Sequence, residues 1–400
     1  MFRNRMFLAV TGGHFAVDVL NSSGAVLLAV LKEPLGLSYA QVGLALTIYT
    51  LVGSLSQPLF GWLSDRAQGR TMVLAAVSVA WMALFYTMVA FAPTWAWLLP
   101  VFLCAPLGSG LFHPIGTAAA VKAVPERAAS ATSIFFFSGQ AGLAVGPFLA
   151  GALAGSFGAP GLLPLTALAL IPAAMLAFAA RDEAGLARRS KRADAPRAAS
   201  SWGALAVALV VAFVVLVAVR SSIQAVWQAY LPQLFQSRGW SPALFGLIAG
   251  VFMAAGAVGQ VVTGSIADRF GMRAATVWPL LLGLPASLAC LYTPSVGLAF
   301  VACAAAGFLI GGQHSVLVVH AQRMLPVKQG FAAGLILGFT FAAGAIGTWF
   351  AGQAADSLGL QTVMVWVTWL SLPAALLALT LPGRPRPAPE AVPATAPAGD

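Results

Sequence analysis

Apolar runs of about 20 residues recur from one end of this chain to the other, and nothing else in the sequence constrains its fold as tightly. A helix of that length crosses the ~30 Å hydrocarbon core of a bilayer. Twelve such spans can be placed, near residues 7–30, 41–63, 71–91, 96–121, 130–154, 160–180, 203–231, 243–266, 274–292, 296–321, 330–353 and 361–381. Charged residues make up 8% of the chain, against about 25% in a soluble domain. Water is therefore not the main solvent. The expected fold class is an all-α membrane protein with twelve transmembrane helices. The first run is too long for a signal-peptide core and has no small-residue cleavage site at its end, so it is read as a span.

The net charge of +10 invites a nucleic-acid reading, but the placement of the charges excludes it. With the N-terminus in the cytoplasm, 18 of the 21 Lys and Arg lie on the cytoplasmic side. Lys32 and Arg238 lie outside, and Arg220 falls within a span. Such a bias sets orientation by the positive-inside rule, so both termini are expected to be cytoplasmic, in a bacterial-type inner membrane. Residues 181–201 form the long polar stretch between spans and read as a cytoplasmic linker joining halves 1–180 and 202–382. Residues 383–400 are rich in Pro and Ala and are expected to be a disordered tail. Cys104, Cys290 and Cys303 sit in spans without metal-ligand spacing, so neither a metal nor a cofactor is expected. No nucleophile–base set appears, which argues against an enzyme.

The halves repeat each other. Gly43, Gln57, Asp65, Arg66 and Arg70 recur 203 residues later as Gly246, Gln260, Asp268, Arg269 and Arg273. Gly110, His113, Lys122 and Pro125 recur 201 residues later as Gly311, His314, Arg323 and Pro326. Two pseudo-symmetric six-helix bundles follow, and repeats of this kind place a substrate site at their interface near mid-membrane.

The loop after span 2 reads Gly61-Trp-Leu-Ser-Asp65-Arg66-Ala-Gln-Gly69-Arg70, and the loop after span 8 reads Gly264-Ser-Ile-Ala-Asp268-Arg269-Phe-Gly271-Met-Arg273. These loops resemble the signature of the major facilitator superfamily, with one residue inserted before Gly69. The resemblance implies a gating role for Asp65, Arg66, Arg70, Asp268, Arg269 and Arg273. Charge-assisted bonds between them would hold the inner face shut and break when it opens. In span 5, Gly142, Gly146 and Pro147 allow close helix packing and a bend, and resemble the Gly-Pro motif of drug/proton antiporters.

Ionisable groups within a membrane are costly and mark candidate function. Asp18 is the acid well inside a span, and His14 lies four residues earlier on the same helical face. Both are candidates for proton coupling. Asn21 extends that face, while Arg220, Gln224 and Gln228 form an i, i+4, i+8 stripe on span 7. His113 on span 4 and Gln313 and His314 on span 10 complete the candidate substrate-binding set. The repeat puts Asp18 and Arg220 at nearly equivalent points. Two readings of Asp18 stand open: a proton carrier, or a permanent ion pair with Arg220. Arg220 likewise reads either as a receptor for a carboxylate, phosphate or phosphonate, or as that pair's cation.

His14-Phe-Ala-Val-Asp18, Gly110-Leu-Phe-His113-Pro114 and Arg220-Ser-Ser resemble the fosmidomycin-resistance branch of the superfamily. The sequence departs from the expected acid at Ile115. The resemblance implies a monomeric, proton-coupled exporter of a small, anionic drug or metabolite, with the lipid bilayer as its other partner. A proton-coupled importer of an organic anion shares every residue named, and a membrane sensor or lipid-moving protein is a more distant alternative.

Overall fold

A backbone N–H or C=O facing lipid finds no water to bond, so each apolar run satisfies its own polar groups as a helix. The computed structural model describes residues 3–67, 69–124, 128–186, 204–324, 329–381 and 383, and some side chains within those ranges, including Asp65 and Asp268, fall outside the described set. The first half comprises α1 (Arg5–Lys32), α2 (Tyr39–Arg66), α3 (Thr71–Ala90), α4 (Trp95–Ala123), α5 (Ala128–Phe157) and α6 (Leu163–Leu186). The second comprises α7 (Ala204–Ser237), α8 (Pro242–Phe270), α9 (Met272–Tyr292), α10 (Val296–Gly311), α11 (His314–Met324), α12 (Gln329–Leu358), α13 (Leu360–Trp369) and α14 (Ser371–Ala378). Eleven stretches among the described residues are long and apolar enough to cross a membrane. The 30-residue α12 supplies the remaining crossing.

Two spans read as single helices are broken in the structure. Span 10 divides into α10 and α11 around Gly312 and Gln313. Span 12 divides at Leu370, just before Pro373, which has no N–H to return to the preceding turn. Span 7 continues through Pro232 to Ser237, beyond the expected end near 231. Residues 181–186, expected in the linker, belong to α6. The remainder of that linker, from 187, and the tail from 384 lie outside the described residues.

Caps fix the helix starts. Ser38 accepts the N–H of Gln41 while the Gln41 side chain accepts that of Ser38, a complete capping box for α2. The two repeated loops both turn at a glycine, Gly69 with φ +82° and Gly271 with φ +89°. That conformation strains any residue with a Cβ, so each loop needs glycine at its turn.

The halves meet along two related seams, α2 against α12 and α5 against α8. The repeated glycines Gly43 and Gly246 sit at the two crossing points. A Cβ on Gly43 would lie 3.0 Å from the Thr348 carbonyl oxygen, and one on Gly246 would lie 2.7 Å from Gly151 Cα. Both would also run into a closer atom, the Tyr230 hydroxyl and the Pro147 carbonyl respectively. Small residues at such points let backbones approach where side chains would hold them apart.

Every hydrogen bond between the halves among the described residues lies towards one end of the bundle. Asp356, at the end of α12, accepts the Tyr39 N–H at 2.8 Å and the Ala40 N–H at 2.9 Å. Tyr230 donates to the Tyr39 carbonyl at 3.1 Å, Gln233 to the Ala25 carbonyl at 3.2 Å, and Thr47 to the Ala345 carbonyl at 2.7 Å. At the opposite end Arg66, Arg70 and Arg269 are exposed. The first half's Gly61 there meets only its own half's Pro114, and Gly264 has open space around it. Among the described residues, the halves are hydrogen-bonded at the Tyr39–Asp356 end and not at the arginine end.

Candidate functional site

α1 and α5 pack closely because α5 offers glycine wherever α1 comes near. A side chain on Gly142 would strike the Phe15 carbonyl, and one on Gly146 would strike the Ser22 hydroxyl and the Val19 carbonyl. Ser22 and Ser23 donate across this contact to the Gly142 and Gly146 carbonyls at 3.5 and 3.3 Å. Gly139 belongs to the same stripe. A Cβ there would lie 2.5 Å from His14 Cε1 and 2.6 Å from Asp18 Oδ2. α5 thus forms a flat wall behind one acid and one base.

α4 closes the other side. His14 Nε2 lies 3.3 Å from Asp18 Oδ2, and His113 Nε2 lies 3.7 Å from Asp18 Oδ1. His14 and Asp18 are buried, while the His113 side chain retains 24% of its exposure. The histidine tautomers follow from their partners. His14 Nδ1 lies 2.7 Å from the Phe135 carbonyl oxygen and His113 Nδ1 lies 2.8 Å from the Ser109 carbonyl oxygen. A carbonyl only accepts, so each Nδ1 carries a hydrogen and each Nε2 turns towards the carboxylate. With neutral histidines and an ionised Asp18, three lone-pair-bearing groups would face one another in a buried space. A proton shared between His14 and Asp18 would convert their contact into a charge-assisted hydrogen bond.

A polar chain fixes the carboxylate from its far side. Asn21 donates to Asp18 Oδ1 at 2.9 Å and to the Ser109 hydroxyl at 3.0 Å. Its amide orientation is set by Tyr49, which donates to Asn21 Oδ1 at 2.8 Å and lies 3.1 Å from the Tyr86 hydroxyl. Oδ1 is thereby an acceptor already in use, and Oδ2, facing His14, is the oxygen left for a proton.

This arrangement lies inside a fold whose kinship the sequence also carries: the Major Facilitator Superfamily profile matches residues 10–237 and 212–399. The chain is a member of the Major Facilitator Superfamily. It is 26% identical over 374 residues to an uncharacterised MFS-type transporter, YfnC of Bacillus subtilis (strain 168), covering 92% of this chain and 90% of that protein. It is also 26% identical over 379 residues to the fosmidomycin resistance protein of Escherichia coli (strain K12), covering 94% and 92%. Among solved structures, a bacterial homologue of the lysosomal transporter Spinster, in an inward-facing and occupied conformation, matches with a TM-score of 0.72. Its identity is 18%, with 93% of this chain and 95% of that chain covered. The D-xylose-proton symporter matches with a TM-score of 0.71 at 15% identity, covering 96% and 98%. The protein is thus a multi-pass membrane transporter of this superfamily.

The second half of this superfamily member holds a different cluster at the equivalent place. Arg220 is buried, and its Nη2 donates to the Ile310 carbonyl at 2.7 Å and the Gly311 carbonyl at 3.2 Å. Those are the last carbonyls of α10, left without helical partners where the span breaks, and a cation suits that negative helix end. Arg220 Nε has no partner among the described residues. Gln313, in the break, donates to the Leu309 carbonyl at 3.0 Å and is fully buried, with Oε1 unpartnered. His314 is half-buried, with its ring 6.4 Å from that of Phe341.

The ion pair between Asp18 and Arg220 is not formed. Each finds its partners within its own half, Asp18 in Asn21 and the histidines and Arg220 Nη2 in α10 carbonyls. Part of the guanidinium fork envisaged for anion binding is taken, since Nη2 donates to the helix break, while Nε has no partner among the described residues. Gln224 and Gln228 lie half-buried along α7, and Asn21 and His113 are likewise half-buried.

Of the loop residues, the Arg66 guanidinium lies 3.4 Å over the Trp62 ring and Arg273 donates to the Leu381 carbonyl at 3.0 Å. The Asp65 and Asp268 side chains lie outside the described residues. Sequence reasoning missed Gly139, Tyr49, Tyr86, Ser109 and Asp356. A buried Tyr on span 2 carries no sequence mark that ties it to Asn21. Asp356 was visible as an acid at a span end, but its partners are backbone N–H groups 317 and 316 residues away.

Proposed function

We infer that this transporter is a proton-coupled exporter of a small anionic or polar compound, working by alternating access between its halves. The observation that carries the reading is the buried His14–Asp18–His113 cluster, whose two fixed tautomers favour a shared proton and leave Asp18 Oδ2 as a proton position. His113 is the partly exposed member and, in this reading, the one through which the proton enters or leaves. Similarity to the fosmidomycin resistance protein favours efflux and an anionic phosphonate-like cargo.

The excess of Lys and Arg at the arginine end supports a cytoplasmic location for that end and for both termini. In that orientation the closed Tyr39–Asp356 end is external, and the conformation is inward-open. Asp65, Arg66, Arg70, Asp268, Arg269 and Arg273 then form the inner gate, assembled when the halves rock the other way. Gln224, Gln228, Gln313 and His314, with Asn21 and His113, supply polar contacts to the cargo. Arg220 acts chiefly by holding the broken span in place and by setting a positive potential beside them.

Inside-out vesicles test the reading. An exporter accumulates fosmidomycin or a related phosphonate when the lumen is made acidic, and Asp18→Asn abolishes this while the protein still inserts. Undiminished, gradient-dependent uptake by Asp18→Asn would sink the coupling assignment. Uptake only under the opposite gradient would reverse the direction to import.

A further inference from the structure

The geometry points to His14, Asp18 and His113 as a binding site for one divalent transition-metal ion of the zinc class. No metal-ligand spacing is visible in the sequence, because the two histidines stand on α1 and α4 and are 99 positions apart. The fold nevertheless brings one ligand atom from each of the three residues to within 4.8 Å of the others.

Zinc binds imidazole nitrogen at about 2.0–2.1 Å and carboxylate oxygen at about 2.0–2.2 Å, so neighbouring tetrahedral ligands stand roughly 3.4 Å apart. His14 Nε2 stands at that spacing, 3.3 Å from Asp18 Oδ2, while His113 Nε2 stands 3.7 Å from the other oxygen, Oδ1, and closes on the ion by a small ring movement. The orientation of the rings is a separate observation. Metal-ligating histidines donate the other ring N–H to a carbonyl or carboxylate, which fixes the tautomer and aims the lone pair. Both histidines do so here, His14 to Phe135 and His113 to Ser109. The carboxylate is held in turn by Asn21.

Two nitrogens and one carboxylate oxygen favour Zn2+, Co2+ or Ni2+ over Mg2+ and Ca2+, which prefer all-oxygen sites. Three protein ligands leave a fourth position, on the side of the half-exposed His113. Water or an anionic group of the cargo completes the coordination there. The ion occupies the same lone pairs that the proposed proton would, so metal and proton exclude each other and bound zinc stops transport.

The test uses full-length, tag-free protein in detergent, stripped of metal and titrated with Co2+ and Zn2+. One saturable ion per chain is expected, with the visible absorption of Co2+ in a nitrogen-containing site and no competition from Mg2+. His113→Ala and Asp18→Asn each weaken binding by at least ~100-fold, beyond the effect of losing an outer hydrogen bond. His113 is the milder site for substitution, and gel-filtration behaviour and Tm confirm that each variant is folded. Absence of stoichiometric binding by the unaltered chain overturns the inference, as does unchanged affinity in both folded variants. Binding is read without transport, so the two readings fail separately. Zinc binding by the unaltered chain together with proton-driven export by Asp18→Asn removes the coupling assignment and leaves the metal site. Loss of export in that variant without any zinc binding does the reverse.

Discussion

Asp356→Ala removes the acceptors of the first two N–H groups of α2, which Asp356 reaches across the seam between the halves. The substitution acts on the closure of that end more than on the fold, because Asp356 is exposed and the bonds join different halves. Losing a cap of this kind costs about 1 kcal/mol. The charge of Asp at a helix N-terminus adds a few tenths of a kcal/mol when exposed to solvent. A loss of about 1 kcal/mol shifts the equilibrium between closed and parted ends roughly fivefold. Asp356→Asn keeps a neutral acceptor and loses the charge, so its shift is smaller, about twofold. Spin labels at Glu33 and Leu358, both exposed and on opposite halves, report the separation by double electron–electron resonance. The long-distance population grows in Ala, and less so in Asn. Unchanged distributions in both variants, or a larger shift in Asn than in Ala, would refute the assignment of Asp356 as the latch of that end.

Tyr49→Phe removes the hydroxyl that orients Asn21, a change worth about 1 kcal/mol. The pH dependence of transport moves by less than about one unit while the amount of folded protein stays the same; an unaltered pH profile would assign Tyr49 a packing role only. Gly139→Val places a branched side chain against His14 and Asp18, and transport is lost although Tm falls by only a few degrees; retained proton-driven transport would show that the cluster is not needed. Gly246→Val forces α5 and α8 apart at the seam, where the obstructing atoms are backbone, so labels across that end show a parted population. Arg220→Lys keeps the charge but cannot reproduce the donation to Ile310 and Gly311, and lowers stability by about 2 kcal/mol in a denaturation series. Unchanged stability with weakened phosphonate binding would restore Arg220 as a direct anion receptor.

The repeat carried more structural information than its residues suggested one at a time. Gly43 and Gly246 stand in the sequence only as members of the repeat, yet they mark the two crossing points of the halves. Gly110 and Gly311 mark contacts inside each half, against Gly53 and Gly256, which are themselves 203 residues apart. The same symmetry misled where it paired Asp18 with Arg220. Equivalent positions in the two halves are related by rotation, and nothing requires them to touch. Each ionisable group instead found partners on the neighbouring helix of its own bundle: Asp18 met α4 through His113, and Arg220 met the end of α10. The break in span 10 was also illegible, because Gly311 and Gly312 suit an intact membrane helix equally well.

The sequence by itself determined the solvent, the number of crossings, the duplication and the family, since these follow from the length and spacing of apolar runs and from short recurring motifs. It also determined which residues were too costly to bury without purpose, His14, Asp18 and Arg220 among them. Only the tertiary structure decided what satisfies each of them. Hydrogen bonds act over about 3 Å, and the atoms that meet Asp18 and Asn21 come from three helices whose relative rotation no local pattern encodes. The same limit hid the latch of Asp356 on α2, which exists only when the two halves lean together at that end.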